Sequence, residues 1–129
     1  MLRRKLGIGL LLALVISLFA SQAFAGTIFF NVIVPKLGGS ANTNVTTKNT
    51  TTQQWEVSSI QVGNNYTVSF RPYNGSGGAV GSWVDGTTGS YINAPYSPAQ
   101  SVGALIYCKI KNKISTLVNV QVSGYFNSR

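Results

Sequence analysis

From Thr27 onward the apolar side chains of this chain recur at every second position, and a repeat of three to four residues is almost absent. Successive side chains of a strand point to opposite faces, so this spacing predicts half-buried strands and little helix. Thr27–Val34 sets Ile28, Phe30, Val32 and Val34 on one face and Phe29 and Ile33 on the other. Apolar residues on both faces predict a strand buried centrally or paired across two layers. Trp55, Val57 and Ser59 share a phase; Ile60 and Val62 follow after an irregularity, and Gly63-Asn64-Asn65 marks a turn. Tyr66–Arg71 alternates cleanly, Val80–Val84 forms a short strand around Trp83 closed by an Asp85-Gly86 turn, and Ser101–Lys111 and Leu117–Tyr125 are the last strands.

Six to seven short strands with Gly, Asn and Pro between them predict an all-β fold, an antiparallel β-sandwich of Ig-like architecture, with a small open barrel as the alternative. Trp55, Phe70, Trp83 and Tyr107 are the candidate large core side chains. Ser40–Gln54, rich in Thr and Asn, reads as a long loop or a polar edge strand. Ser90–Gln100, with Pro95 and Pro98, reads as a proline-restricted crossing between sheets. Cys108 alternates with Val102, Ala104, Ile106 and Ile110 and reads as a small core residue. A single cysteine excludes an intramolecular disulfide.

The first 25 residues follow a different pattern. Arg3, Arg4 and Lys5 precede an apolar run over Leu6–Phe19, and Ala23-Phe24-Ala25 stands before Gly26. That order is expected of a secretory signal cleaved between Ala25 and Gly26. The run is shorter than the roughly 20 residues that span a bilayer. Residues 26–129 then form one small domain, and the expected location is secreted and extracellular.

The formal net charge of +8, less Arg3, Arg4 and Lys5, becomes +5 for residues 26–129. The acids are Glu56 and Asp85 alone, and there is no His. Ser-His-Asp and Cys-His centres are therefore excluded, as is a zinc site of His and Cys ligands. A glycosidase would have to use Glu56 with Asp85. Asp85 reads as a turn residue and Glu56 as solvent-facing, so no enzyme activity, metal or cofactor is expected.

Binding is more legible. Lys109, Lys111 and Lys113 recur every second residue and share one face of a strand that extends so far, opposite Cys108 and Ile110. This stripe is the candidate contact for an anionic surface, either an acidic cell-wall polymer or a membrane; alternatively it is a solvated face that discourages edge aggregation. No nucleic-acid partner is expected. Tyr and Trp rings could stack on sugars, but their spacing does not separate a sugar platform from a core.

The chain also resembles a family of small secreted proteins of unknown function from low-GC Gram-positive bacteria. The resemblance rests on Thr46–Gln54 running into Trp55-Glu56-Val57, on the Gly-rich Asn74–Gly81, and on Val122-Ser123-Gly124-Tyr125-Phe126. It departs at Asn127-Ser128-Arg129, where the family tends to be acidic. It implies a secreted β-rich protein without known catalytic residues, some relatives lying beside genes for bacteriocin-type export or immunity. Three expectations follow: a non-enzymatic extracellular or cell-envelope interaction protein, a bacteriocin-like antagonist of a target envelope, or a structural subunit assembling through the edge of Thr27–Val34.

Overall fold

The structure, a computed structural model, describes residues 26–129. The proposed signal, with Ala25 of its cleavage site, lies outside the described residues. The chain forms strands β1 (Thr27–Val34), β2 (Ser40–Asn42), β3 (Thr46–Thr47), β4 (Gln54–Val62), β5 (Val68–Asn74), β6 (Val84–Gly86), β7 (Ile92–Pro95), β8 (Leu105–Asn112) and β9 (Val120–Asn127). One sheet has the order β1-β9-β4-β7; the other has β2-β8-β5-β6, with β3 also paired to β8. All pairings are antiparallel. Every connection except β2–β3 and β5–β6 passes between the sheets. This is the expected all-β sandwich, with more strands than the sequence pattern suggests because β2, β3 and β6 are only two or three residues long.

The two inner faces supply the core. Phe30, Val34, Trp55, Val57, Val122 and Phe126 meet Val68, Phe70, Ile106, Cys108 and Ile110, all buried. Each such large apolar side chain contributes about 1.5–3 kcal/mol on burial. In β4 the inward phase changes from Trp55 and Val57 to Ile60 and Val62. A bulge between Ser58 and Gln61, with Ser59 at φ 51°, absorbs the extra residue and returns Ile60 to the core. In β9, Gly124 opposes Phe30, whose ring atom Cζ lies 3.1 Å from where a Cβ would stand. The missing side chain makes room for that ring.

Several expectations are corrected. β1 is not central but an edge strand, with Phe29 and Ile33 exposed on its outer side. The strand around Trp83 begins only at Val84. Before it, Val80 N–H donates to the Pro72 carbonyl, and Ser97 N–H donates to the Val80 carbonyl, so 79–83 follows its own path. Asp85-Gly86 is strand rather than turn, because Asp85 opposes Ser69. The proline-rich crossing contains β7, which pairs Trp55 with Ala94. Val102 and Val118 lie outside the strands and are exposed.

Two buried polar side chains secure the ends of the sandwich. Asn112 donates its amide to the carbonyls of Val34 (3.0 Å) and Pro35 (2.9 Å), joining the two sheets. Lys48 is fully buried at the opposite end. Its ammonium donates to the main-chain oxygens of Thr50 (2.6 Å), Thr52 and Arg129 (3.0 Å), and lies 5.6 Å from the Tyr96 ring centre. Burial lowers the pKa of Lys48.

Candidate functional site

The alternation that buries Phe70, Cys108 and Ile110 turns their neighbours outward. On β5 these are Arg71 and Tyr73; on β8 they are Tyr107, Lys109 and Lys111. The register sets Tyr73 opposite Tyr107 and Arg71 opposite Lys109, with Lys111 opposite Ser69. The two tyrosine rings stack, 5.6 Å between centres and 13° from parallel. Trp83 reaches the same face from the segment before β6 and is 37% exposed. Lys109 Nζ stands 4.6 Å from the Tyr73 ring centre, and Lys111 Nζ stands 5.9 Å from that of Trp83. The Arg71 guanidinium lies 5.7 Å from Tyr73 and 5.6 Å from Trp83. Its Nε donates to the Gly81 carbonyl at 2.7 Å, which fixes the side chain along the surface. Cations and rings therefore alternate across the outer face of the five-stranded sheet, each cation held over a π-face.

The placement of the acids gives this patch its character. Asp85 accepts from Lys113 Nζ at 2.8 Å and from Ser69 Oγ at 2.6 Å. These donors hold its carboxyl below the usual carboxylate range, Lys113 contributing most. Glu56 binds Arg129 at 2.5 Å, Asn127 at 3.2 Å and the Tyr91 hydroxyl, on the opposite sheet. Burial works to raise its pKa, and the donors from Tyr91, Arg129 and Asn127 outweigh that and lower it. Both side-chain acids of 26–129 are thus paired, and Lys48 is buried. The remaining side-chain cations among the described residues are Arg71, Lys109, Lys111 and Lys36. Three of these four share one patch, and Arg71 and Lys109 stand directly opposite each other. Like charges in that relation destabilise a sheet, by about 0.2–1 kcal/mol.

The expected lysine stripe is therefore partly realised. Lys109 and Lys111 lie on the outer face, and Lys113 reaches the same face from beyond the strand, its Nζ donating to Ser69 Oγ at 3.3 Å, but it is paired with Asp85 rather than left without an acid. β8 ends at Asn112, and Lys113 turns to Asp85. Trp83 and Tyr107, expected in the core, belong to the patch instead. Local alternation does not connect Arg71 and Tyr73 to Lys109; only the register of β5 against β8 brings them beside it. Gly26 of the proposed cleavage site is buried, its carbonyl accepting from Ser128 N–H at 2.8 Å. Cys108 is fully buried, and burial pushes its thiol pKa up, away from reactive thiolate. Glu56 and Asp85 sit in different sheets, each in its own ion pair.

An open groove of about 370 Å³ continues the patch toward one end of the sandwich, lined by Ser69, Trp83, Lys111, Asn112, Lys113 and Ile114. A second cleft of about 290 Å³, on the other sheet, is lined by the uncharged Gln61, Val62, Gly63, Thr88, Gln121 and Ser123. The first can attract an anion; the second offers only amides and hydroxyls. No protein-family model matches the chain, and comparison with curated proteins and with solved structures gives no match.

Proposed function

We propose that the protein is a non-enzymatic extracellular binding protein that attaches to an acidic polymer of the cell envelope through the outer face of its five-stranded sheet. The observation that carries this reading is the row Tyr107, Tyr73, Arg71, Lys109, Trp83 and Lys111. In it, like charges face each other across β5–β8, and the acid on that face, Asp85, is bound to Lys113 and Ser69 rather than to any of them. An arrangement unfavourable in the free protein becomes favourable when a polyanion supplies the missing charge. The rings add flat apolar surface on which sugar rings can stack. Export by the proposed signal would deliver the protein to such a polymer.

Titration calorimetry with polygalacturonate, against neutral dextran as control, tests the reading. Binding to polygalacturonate should weaken as salt rises. The variant Arg71→Ala/Lys109→Ala/Lys111→Ala should lose it by about 100-fold or more at low salt. Equal binding of dextran, or an unaffected triple variant, would refute it.

A second reading is assembly through β1, favoured by the position of this uncharged strand at a sheet edge. Sedimentation velocity decides it: a concentration-dependent oligomer abolished by Asn31→Pro supports it, and a strict monomer removes it.

A further inference from the structure

We propose that the end of the sandwich formed by residues 35–39 and 113–119 is an apolar tip that inserts into the surface of an anionic lipid bilayer. This goes beyond the polymer-binding reading and does not rest on it. The two loops carry the most exposed aliphatic side chains of the described residues: Ile114 at 82% and Leu117 at 74%, with Leu37 and Val118 beside them and Ile33 at the adjoining end of β1.

These side chains are held outward by a built backbone. Leu37 N–H donates to the Thr116 carbonyl at 2.8 Å, Gly38 N–H to the Lys113 carbonyl at 3.2 Å, and Lys36 N–H to Asn119 Oδ1 at 3.0 Å. Thr116 is buried beneath and closes its own turn onto Lys113. Leu37 sits at φ 59°, a left-handed conformation unfavourable for a bulky side chain. The fold thus keeps a leucine where glycine would fit better, with its side chain exposed to water. Such a clustered apolar surface marks an interaction site.

The charges around the tip indicate its occupant. Lys36 adjoins Leu37 in sequence, Lys113 adjoins Ile114, and the groove beside Ile114 is lined by Lys111 and Trp83. Neither loop contains an acid, and Asp85 at the rim is bound to Lys113. Apolar side chains projecting past lysines and a tryptophan match the layering of hydrocarbon beneath anionic headgroups. Lys36 and Lys111 are the cations left to meet lipid phosphates.

Flotation with vesicles of equal parts phosphatidylglycerol and phosphatidylcholine, against phosphatidylcholine alone, tests this on the purified protein. Binding should be about 30-fold weaker without the anionic lipid. Ile114→Ser/Leu117→Ser should lower affinity for the anionic vesicles by about 100-fold, and Leu37→Gly by about 10-fold. Both variants change exposed positions, and glycine suits the Leu37 backbone, so thermal stability should hold. Arg71→Ala/Lys109→Ala should leave vesicle binding essentially intact while polymer binding falls, which separates this proposal from the previous one. It is overturned if the protein does not float with anionic vesicles, if it binds both compositions equally, or if Ile114→Ser/Leu117→Ser binds like the parent. It is equally overturned if that variant instead abolishes an oligomer seen without lipid, which would make a second copy the occupant.

Discussion

The cations of this protein fall into two kinds of surroundings. Near the ends of the described chain, Lys48 is enclosed by three main-chain oxygens and the Tyr96 ring, and Arg129 is bound to Glu56. On the outer face of the five-stranded sheet, Arg71, Lys109 and Lys111 have rings beneath them and one another beside them, while Asp85 on that face is paired with Lys113. The first arrangement satisfies each charge within the fold and tightens it. The second leaves charge unspent and slightly destabilises the sheet. Residues of one type are thus structural or available for binding according to what the register places next to them.

Four substitutions probe this contrast. Lys48→Ala leaves three partly buried main-chain oxygens without their donor and opens a cavity. It should cost about 3 kcal/mol, a fall of about 15 °C in Tm, while the folded fraction still binds polyanion normally. Thermal unfolding followed by circular dichroism reads it. Lys109→Glu should weaken polygalacturonate binding about 30-fold. The same change should raise stability by about 0.5 kcal/mol, because Arg71 then faces an opposite charge. Loss of both binding and stability would break the contrast.

Glu56→Gln should cost about 1–2 kcal/mol and leave polymer binding unchanged. Its pH dependence has a definite sign. The folded pKa of Glu56 lies below its ordinary 4.5, so its stabilising contribution is present above that value and is lost as pH falls through the folded one. Urea midpoints measured from neutral pH downward should drop below about pH 4.5 in the parent, and the drop should be smaller in the variant. Asp85→Asn has the smallest effect. It removes an exposed pair worth at most about 1 kcal/mol. By freeing Lys113 it should strengthen polyanion binding about twofold to threefold, read by calorimetry.

Much of the fold is legible in the sequence because strand alternation needs only local information. Thr27–Val34, the irregularity in β4 and the buried phase of Cys108 can all be read from the spacing of their neighbours. The edge position of β1 cannot, because Phe29 and Ile33 suggest burial on both sides while pairing order is a long-range property. The site was half visible for the same reason. Lys109 and Lys111 share a face by local period, whereas Arg71 and Tyr73 join them only through the β5–β8 register. Tyr107 shares the outward phase of Lys109 and Lys111, so its size alone suggests the core, whereas Trp83 lies before β6, where no strand alternation fixes its side. The apolar tip at Ile114 and Leu117 was hidden for a related reason: Leu117 and Val118 read as the start of a strand that begins only at Val120.

We propose that the cations left without an acid partner on the five-stranded sheet form the binding surface. The most direct measurement is a titration of ¹⁵N-labelled protein with polygalacturonate, followed by amide and indole shifts. Salt-sensitive perturbations should centre on Arg71, Tyr73, Trp83, Tyr107, Lys109 and Lys111, with the four-stranded sheet unmoved. Perturbations centred instead on the uncharged cleft of Gln61 and Gln121, or none at low salt, would contradict it.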